Sequence, residues 1–198
     1  MLVTKKAPDF TATAVLANGQ IVEDFNLMDN LGEKGAVLFF YPLDFTFVCP
    51  SEIIAFSHRA EEFTKRGINV IGVSVDSQFS HFAWRETPVN EGGIGRIKFP
   101  LVADLSKQIA RDYDVLLDES VALRGSFLID ADGTIRHAVI NDLPLGRNED
   151  EMLRMVDAML FTNEHGEVCP AGWQAGDEGM KASTEGVAEY LAKHAEAL

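Results

Sequence analysis

Three things are scarce in this chain: cysteine, positive charge and long apolar runs. Only two cysteines occur in 198 residues, which excludes a small domain stapled by several disulfides. In a reducing compartment, cysteines are more often buried, metal-bound or redox-active than locked in a lasting disulfide. Lys and Arg number 17 against 31 Asp and Glu, a formal charge of −14. A phosphate-binding face needs clustered cations, and these are scattered, so nucleic acid is not an expected partner. The acidity mainly favours solubility. The longest apolar runs, such as AVLFFYPL, are far too short to span a bilayer. The opening MLVTKKAPDF lacks the apolar stretch and small-residue cleavage site of a signal peptide, so a cytoplasmic protein is expected.

Cofactor and metal signals are equally thin. His58, His81, His137, His165 and His194 are dispersed, without ligand spacing, and no metal is expected. Each reads as a solvated or internally satisfied residue. No G-x-G-x-x-G occurs, so a tightly held nicotinamide or flavin is not suggested, and no cofactor is expected. Gly92 to Gly95 is glycine-rich but opens no helix, which makes it a poor phosphate loop.

What is present is an ordinary globular composition, 46% apolar and 24% charged, enough for one substantial core. Asn18-Gly19 separates two short strand-like runs and predicts a hairpin. AVLFFY (36–41) and INVIGVSV (68–75) read as strands buried on both faces. Between them, Ile53, Phe56, Ala60 and Phe63 recur at helical spacing, and Gly67 stops the run. Strand, helix and strand predict a parallel βαβ unit. A short helix is expected over 104–113. RGSFLID and TIRHAVI flank Ala131-Asp132-Gly133 as a second hairpin, and a helix follows over 148–161. Beyond it come an irregular Gly-rich arm and a last short helix over 183–198. The expected fold is therefore α/β and thioredoxin-like: a mixed central sheet flanked by helices, with an N-terminal hairpin. A thioredoxin-like domain over 1–161 and a C-terminal arm over 162–198 are the expected divisions.

Cys49 sits where the first buried strand hands over to a helix that begins near Pro50. Proline suits a first helical turn. Unpaired N–H groups and the helix dipole at that end favour thiolate over thiol. Taken alone, such a cysteine could equally be a small buried hydrophobe. The surrounding string, Pro42-Leu43-Asp44-Phe45-Thr46-Phe47-Val48-Cys49-Pro50, separates the two readings. It resembles the peroxiredoxin active-site motif P-x-x-x-T-x-x-C-P. FYPLDFTFVCPSEI, SVDSQFSHFAW, LRGSFLID, NDLPLGR and VCPAGW are similar to peroxiredoxin segments in the same order, over nearly the whole chain. The typical 2-Cys class is the nearest in pattern.

The resemblance implies a role for each matching residue. Cys49 is the peroxidatic thiolate. The Thr46 hydroxyl donates to that thiolate or accepts from the peroxide. Pro42 has no N–H and shields the sulfur. Arg124 brings a fixed positive charge, a device that contributes about 3 kcal/mol where charge develops. Without the motif, Arg124 would read as a solvated strand-end residue. Glu52 and Arg147 resemble a supporting ion pair behind Arg124, although surface pairs of that type are weak.

Cys169 follows Cys49 by 120 positions, in a Gly- and Pro-rich setting that reads as a mobile loop. Its V-C-P-A-G-W string is similar to the family's resolving motif. The implied chemistry is a hydroperoxide substrate, a sulfenic acid on Cys49, a disulfide with Cys169, and recycling by thioredoxin or a flavin disulfide reductase. The resemblance also implies a homodimer whose partner supplies Cys169, and a pentamer of dimers. The family's Gly-Gly-Leu-Gly and Tyr-Phe elements slow the opening of the active site. This chain has Gly92-Gly93-Ile94-Gly95 and Tyr190-Leu191 in their place, so weaker over-oxidation is expected. Two other readings stand beside the peroxidase: a redox-switched holdase, which could work with Cys49 blocked, and a general disulfide exchanger. Cys49 is followed by Pro50-Ser51-Glu52, with no second cysteine three positions on, which argues against a thioredoxin-type C-x-x-C oxidoreductase.

Overall fold

The structure, a computed structural model, describes residues 1–196. The strands are β1 (Thr11–Val15), β2 (Ile21–Asn26), β3 (Gly35–Phe40), β4 (Ile68–Ser74), β5 (Leu101–Ala103), β6 (Leu116–Leu117), β7 (Val121–Ala122), β8 (Arg124–Asp130) and β9 (Ile135–Asn141). The helices are α1 (Cys49–Lys65), α2 (Gln78–Glu86), α3 (Gln108–Asp112), α4 (Glu149–His165) and α5 (Thr184–His194). Seven strands form one sheet in the order β2-β1-β5-β4-β3-β8-β9. β3, β4 and β5 run parallel, and the outer pairs are antiparallel. This is the expected thioredoxin-like arrangement. The β3-α1-β4 unit and both hairpins stand where the sequence put them.

The sheet has a core on each face because side chains alternate along a strand. All six residues of β3 are buried. Phe39 stacks on Phe56 of α1 at 4.6 Å, with Phe99 edge-on at 5.5 Å. Its neighbour Phe40 points the other way, to Phe127 at 5.9 Å and Tyr113 at 5.2 Å. Deleting any one of these buried rings would cost about 3–5 kcal/mol. α1 ends where Gly67 adopts φ +72, with its N–H bonded to Thr64 O, a left-handed terminus that glycine takes without steric penalty.

Several elements differ from the sequence reading. The helix expected over 104–113 is confined to Gln108–Asp112, because the Asp104 carboxylate accepts from the N–H groups of Ile109 and Ala110 and acts as its cap. The helix expected over 148–161 runs on to His165. Thr184–His194 supplies the last helix, and positions 197–198 of that expectation lie outside the described residues. The chain divides into two compact units, Met1–Glu149 and a second from Asp150 onward. Among the described residues, no helix is long and apolar enough to cross a membrane.

Candidate active site

The site is built where β3 ends and α1 begins. Residues 41–48 form an irregular loop, and Cys49 is the first residue of α1, fully buried. Pro50 follows at the second helical position, where its missing N–H costs nothing. Arg124, the first residue of β8 and 75 positions away, reaches the same point. Its Nη1 stands 3.4 Å from Cys49 Sγ. The same Nη1 donates to Glu52 Oε2 at 2.6 Å, and Nε donates to Leu143 O at 2.7 Å.

Glu52 lies one helical turn after Cys49. Its carboxylate accepts four hydrogen bonds. Oε1 takes the Arg147 N–H at 2.9 Å and Arg147 Nε at 2.8 Å, while Oε2 takes Arg124 Nη1 and, at 3.1 Å, Arg147 Nη2. Arg147 Nη1 also donates to Phe40 O, Gly125 O and Ser126 Oγ, and its guanidinium lies 5.4 Å from the Phe39 ring centre. One guanidinium therefore ties the ends of β3 and β8 to α1.

These side chains are not a weak surface pair, which corrects the sequence expectation. Side-chain exposure is 4% for Arg124 and 2% for both Glu52 and Arg147. Buried charges are tolerated only when paired and hydrogen-bonded. Here two guanidiniums share one carboxylate, which leaves one positive charge over. Arg124 Nη1 presents that charge to Cys49 Sγ at 3.4 Å.

The other expected residues are placed differently. Pro42 is buried in the bend after β3. The Thr46 hydroxyl donates to Leu43 O at 2.8 Å, so its proton is committed within the loop. Of the two expected roles, donating to the thiolate or accepting from the peroxide, this bond leaves room for the second. Its lone pairs are left to accept a hydrogen bond. Cys169 belongs to the second unit. There Val168 pairs with Met180 through two backbone bonds, and Cys169 Sγ lies 3.6 Å from Ala158 O and 3.7 Å from Thr162 Oγ1. Both cysteines are free thiols. No cluster of three or more His, Cys, Asp or Glu able to hold a metal occurs among the described residues.

One group escaped the sequence reading. Behind the loop, Tyr41, Asp44 and His81 form a buried hydrogen-bonded set. Burial, then the Asp44 carboxylate, pushes the Tyr41 phenol well above its ordinary value, so it stays a donor. The only sequence signal was an acid inside the active-site string and a histidine on a segment with no clear period.

A thioredoxin-like sheet whose helix-opening cysteine stands against a buried arginine defines a class, the thiol-based oxidoreductases. Comparison with known proteins narrows it. Residues 3–138 match the AhpC/TSA family, and residues 158–193 match the C-terminal domain of 1-Cys peroxiredoxin. Alkyl hydroperoxide reductase C of Helicobacter pylori is 66% identical over 191 residues, covering 96% of each chain. Mouse peroxiredoxin-2 is 54% identical over 193 residues, covering 97% of this chain and 96% of its own. A reduced 2-Cys peroxiredoxin of Plasmodium vivax superposes with a TM-score of 0.94 at 48% identity, covering 97% of this chain and 99% of its own. The chain belongs to the AhpC/TSA family and is a peroxiredoxin, a thiol peroxidase.

Proposed function

We propose that this peroxiredoxin reduces hydrogen peroxide and alkyl hydroperoxides with Cys49 as nucleophile and Cys169 as resolving thiol. The Cys49 thiolate attacks one oxygen of the peroxide. The O–O bond breaks, the sulfur is oxidised to sulfenic acid, and the leaving oxygen departs as water or alcohol after taking a proton. Arg124 stabilises the thiolate and the charge that develops on the leaving oxygen. Thr46 accepts a hydrogen bond from the peroxide, and Pro42 closes the pocket to water. Cys169 then condenses with the sulfenic acid, releasing water and forming a disulfide. A dithiol donor, thioredoxin or a flavin disulfide reductase, restores both thiols by exchange. The observation that carries this reading is the 3.4 Å approach of a buried Arg124 to Cys49 Sγ, with Glu52 and Arg147 fixing the guanidinium.

In this reading the working unit is a homodimer in which each partner supplies Cys169 to the other, assembled further as a pentamer of dimers in the cytoplasm. Two surfaces support the assembly. β9 is an edge of the sheet and carries exposed Ile140. Phe45, Phe47, Phe79 and Phe82 are also exposed, an unusual density of aromatic rings for open water. The test is rapid mixing of the reduced protein with one equivalent of hydrogen peroxide, followed by non-reducing electrophoresis. Fast oxidation and a band at twice the monomer mass are expected. Cys169→Ser should keep the fast step and lose the band, and Cys49→Ser should lose both. Oxidation no faster than that of a free thiol would overturn the reading and leave the holdase in its place.

A further inference from the structure

The loop before Cys49 holds a strained residue. Phe45 has φ +53, a left-handed backbone for a bulky side chain, which persists only where its surroundings impose it. Its ring is half-exposed and lies 5.6 Å from the Trp84 ring, which restrains it from one side only.

The firmer hold is one residue earlier. Asp44 Oδ1 accepts from the Tyr41 hydroxyl at 2.8 Å, and Oδ2 lies 2.8 Å from His81 Nδ1. The other nitrogen of His81, Nε2, lies 3.2 Å from Val102 O. The backbone N–H of Asp44 donates to Asp76 Oδ2 at 2.8 Å, and that oxygen also accepts from Ser74 Oγ at 2.7 Å. His81 is fully buried, and the Asp44 side chain is 1% exposed. Beyond the Tyr41 N–H, which donates to Val73 O of β4 at 3.1 Å, the loop is fastened through Asp44 to α2, and onward to β5 and the end of β4. None of these bonds touches Cys49, Arg124 or Glu52. A satisfied buried polar network of this type fixes a backbone geometry.

We propose that His81 and Asp44 are positioning residues for the peroxidase reaction. They form a buried latch that keeps loop 42–48, and with it Thr46 and Cys49, in the peroxide-reactive arrangement, and the latch must yield before Cys49 can form its disulfide. The inference rests on Cys49 being the nucleophile. Its physical basis is that Cys49 Sγ is fully buried, so a resolving thiol reaches it only after the loop opens. An interaction made only in the closed state favours the first step and opposes the second. The latch therefore affects the two steps in opposite directions, which a purely structural role does not.

The experiment uses the full chain and measures each step separately. Trp84, beside Phe45, reports the peroxide step by fluorescence. Alkylation quenching and non-reducing electrophoresis report the disulfide. His81→Ala is expected to slow the first step about tenfold or more and to speed disulfide formation severalfold. Tyr41→Phe, which removes one hydroxyl and keeps the ring, should move both rates in the same senses by less. His81→Asn keeps a donor near Asp44 and should restore most of the wild-type ratio. Unchanged rates, or two rates falling by the same factor, would overturn the latch. If His81→Ala does not fold, an unchanged ratio in Tyr41→Phe overturns it alone. A fast first step surviving in Cys49→Ser would sink the reading of the site itself, a different outcome from loss of the latch.

Discussion

The two cysteines sit in very different surroundings. Cys49 is sealed, opposite a guanidinium fixed by a carboxylate that itself accepts four hydrogen bonds. Cys169 is half-buried and rests on two long sulfur contacts, next to a bridge of one residue pair. The first setting suits a group whose charge must be held before substrate arrives. The second suits a group that has to leave its place, since few buried contacts mean easy local opening. In the proposed roles, the nucleophile is served by rigidity and the resolving thiol by its lack.

The strongest way to break the contrast is to strip the rigid side. Glu52→Gln removes the charge between Arg124 and Arg147. It should slow the peroxide step about 10²-fold, read by stopped-flow, because Arg124 loses its charged partner and keeps only the bond to Leu143 O. Stability should fall by about 3–5 kcal/mol in a denaturant melt, since two buried guanidiniums then face each other. A loss under 1 kcal/mol would mean that the pocket admits water.

The loose side should respond more weakly. Trp173 is buried, packs on Phe161 at 4.9 Å, and its carbonyl accepts from Arg154 Nη1 at 2.8 Å. Trp173→Ala should leave the peroxide step within about twofold, since its ring packs on Phe161 within the second unit. Disulfide formation should change severalfold, measured by quenched electrophoresis. An equal effect on both steps would contradict the division of labour.

A smaller effect is expected from the terminal helix. Tyr190 packs on His194 at 4.5 Å, and Leu191 stands where the family's pattern has an aromatic ring. Leu191→Phe should raise the fraction of Cys49 driven to sulfinic acid per turnover, read by mass spectrometry during a peroxide titration. No change would mean that the missing ring does not limit over-oxidation.

The smallest expected effect is a control at a group whose hydrogen bonds touch neither cysteine. Burial raises the Asp130 carboxyl, but the Thr134 N–H and then Arg136 outweigh it and hold the group below its ordinary range. A depressed carboxylate contributes stability above its unfolded pKa, about 3.9, and loses that contribution as pH falls through the folded value. Asp130→Asn should therefore lower the melting temperature near neutrality and match the wild type in strong acid. A constant difference across that range would assign the effect to packing instead.

Much of this contrast is legible in the primary structure. The strand-to-helix junction at Cys49 follows from a buried apolar run, a proline and a helical period. The loop character of Cys169 follows from its glycines and prolines. α2 was hidden because its pattern is inverted: His81, Trp84 and Arg85 are buried while Phe79 and Phe82 are exposed. β5 has three residues, too few to show a period. The depth of the Glu52–Arg147 pair could not be read because its members are 95 positions apart and each has the composition of a surface residue.

Sequence alone determined the order of elements and the family pattern around Cys49, because these depend on residues near one another along the chain. Only the tertiary structure decided that Arg124 reaches Cys49, that Glu52 joins two buried guanidiniums, and that His81 fastens the loop at Asp44. The reason is physical. A buried charge is stable only against a partner, and the sheet, by setting β3, β4 and β8 side by side, brings together partners that the sequence keeps far apart.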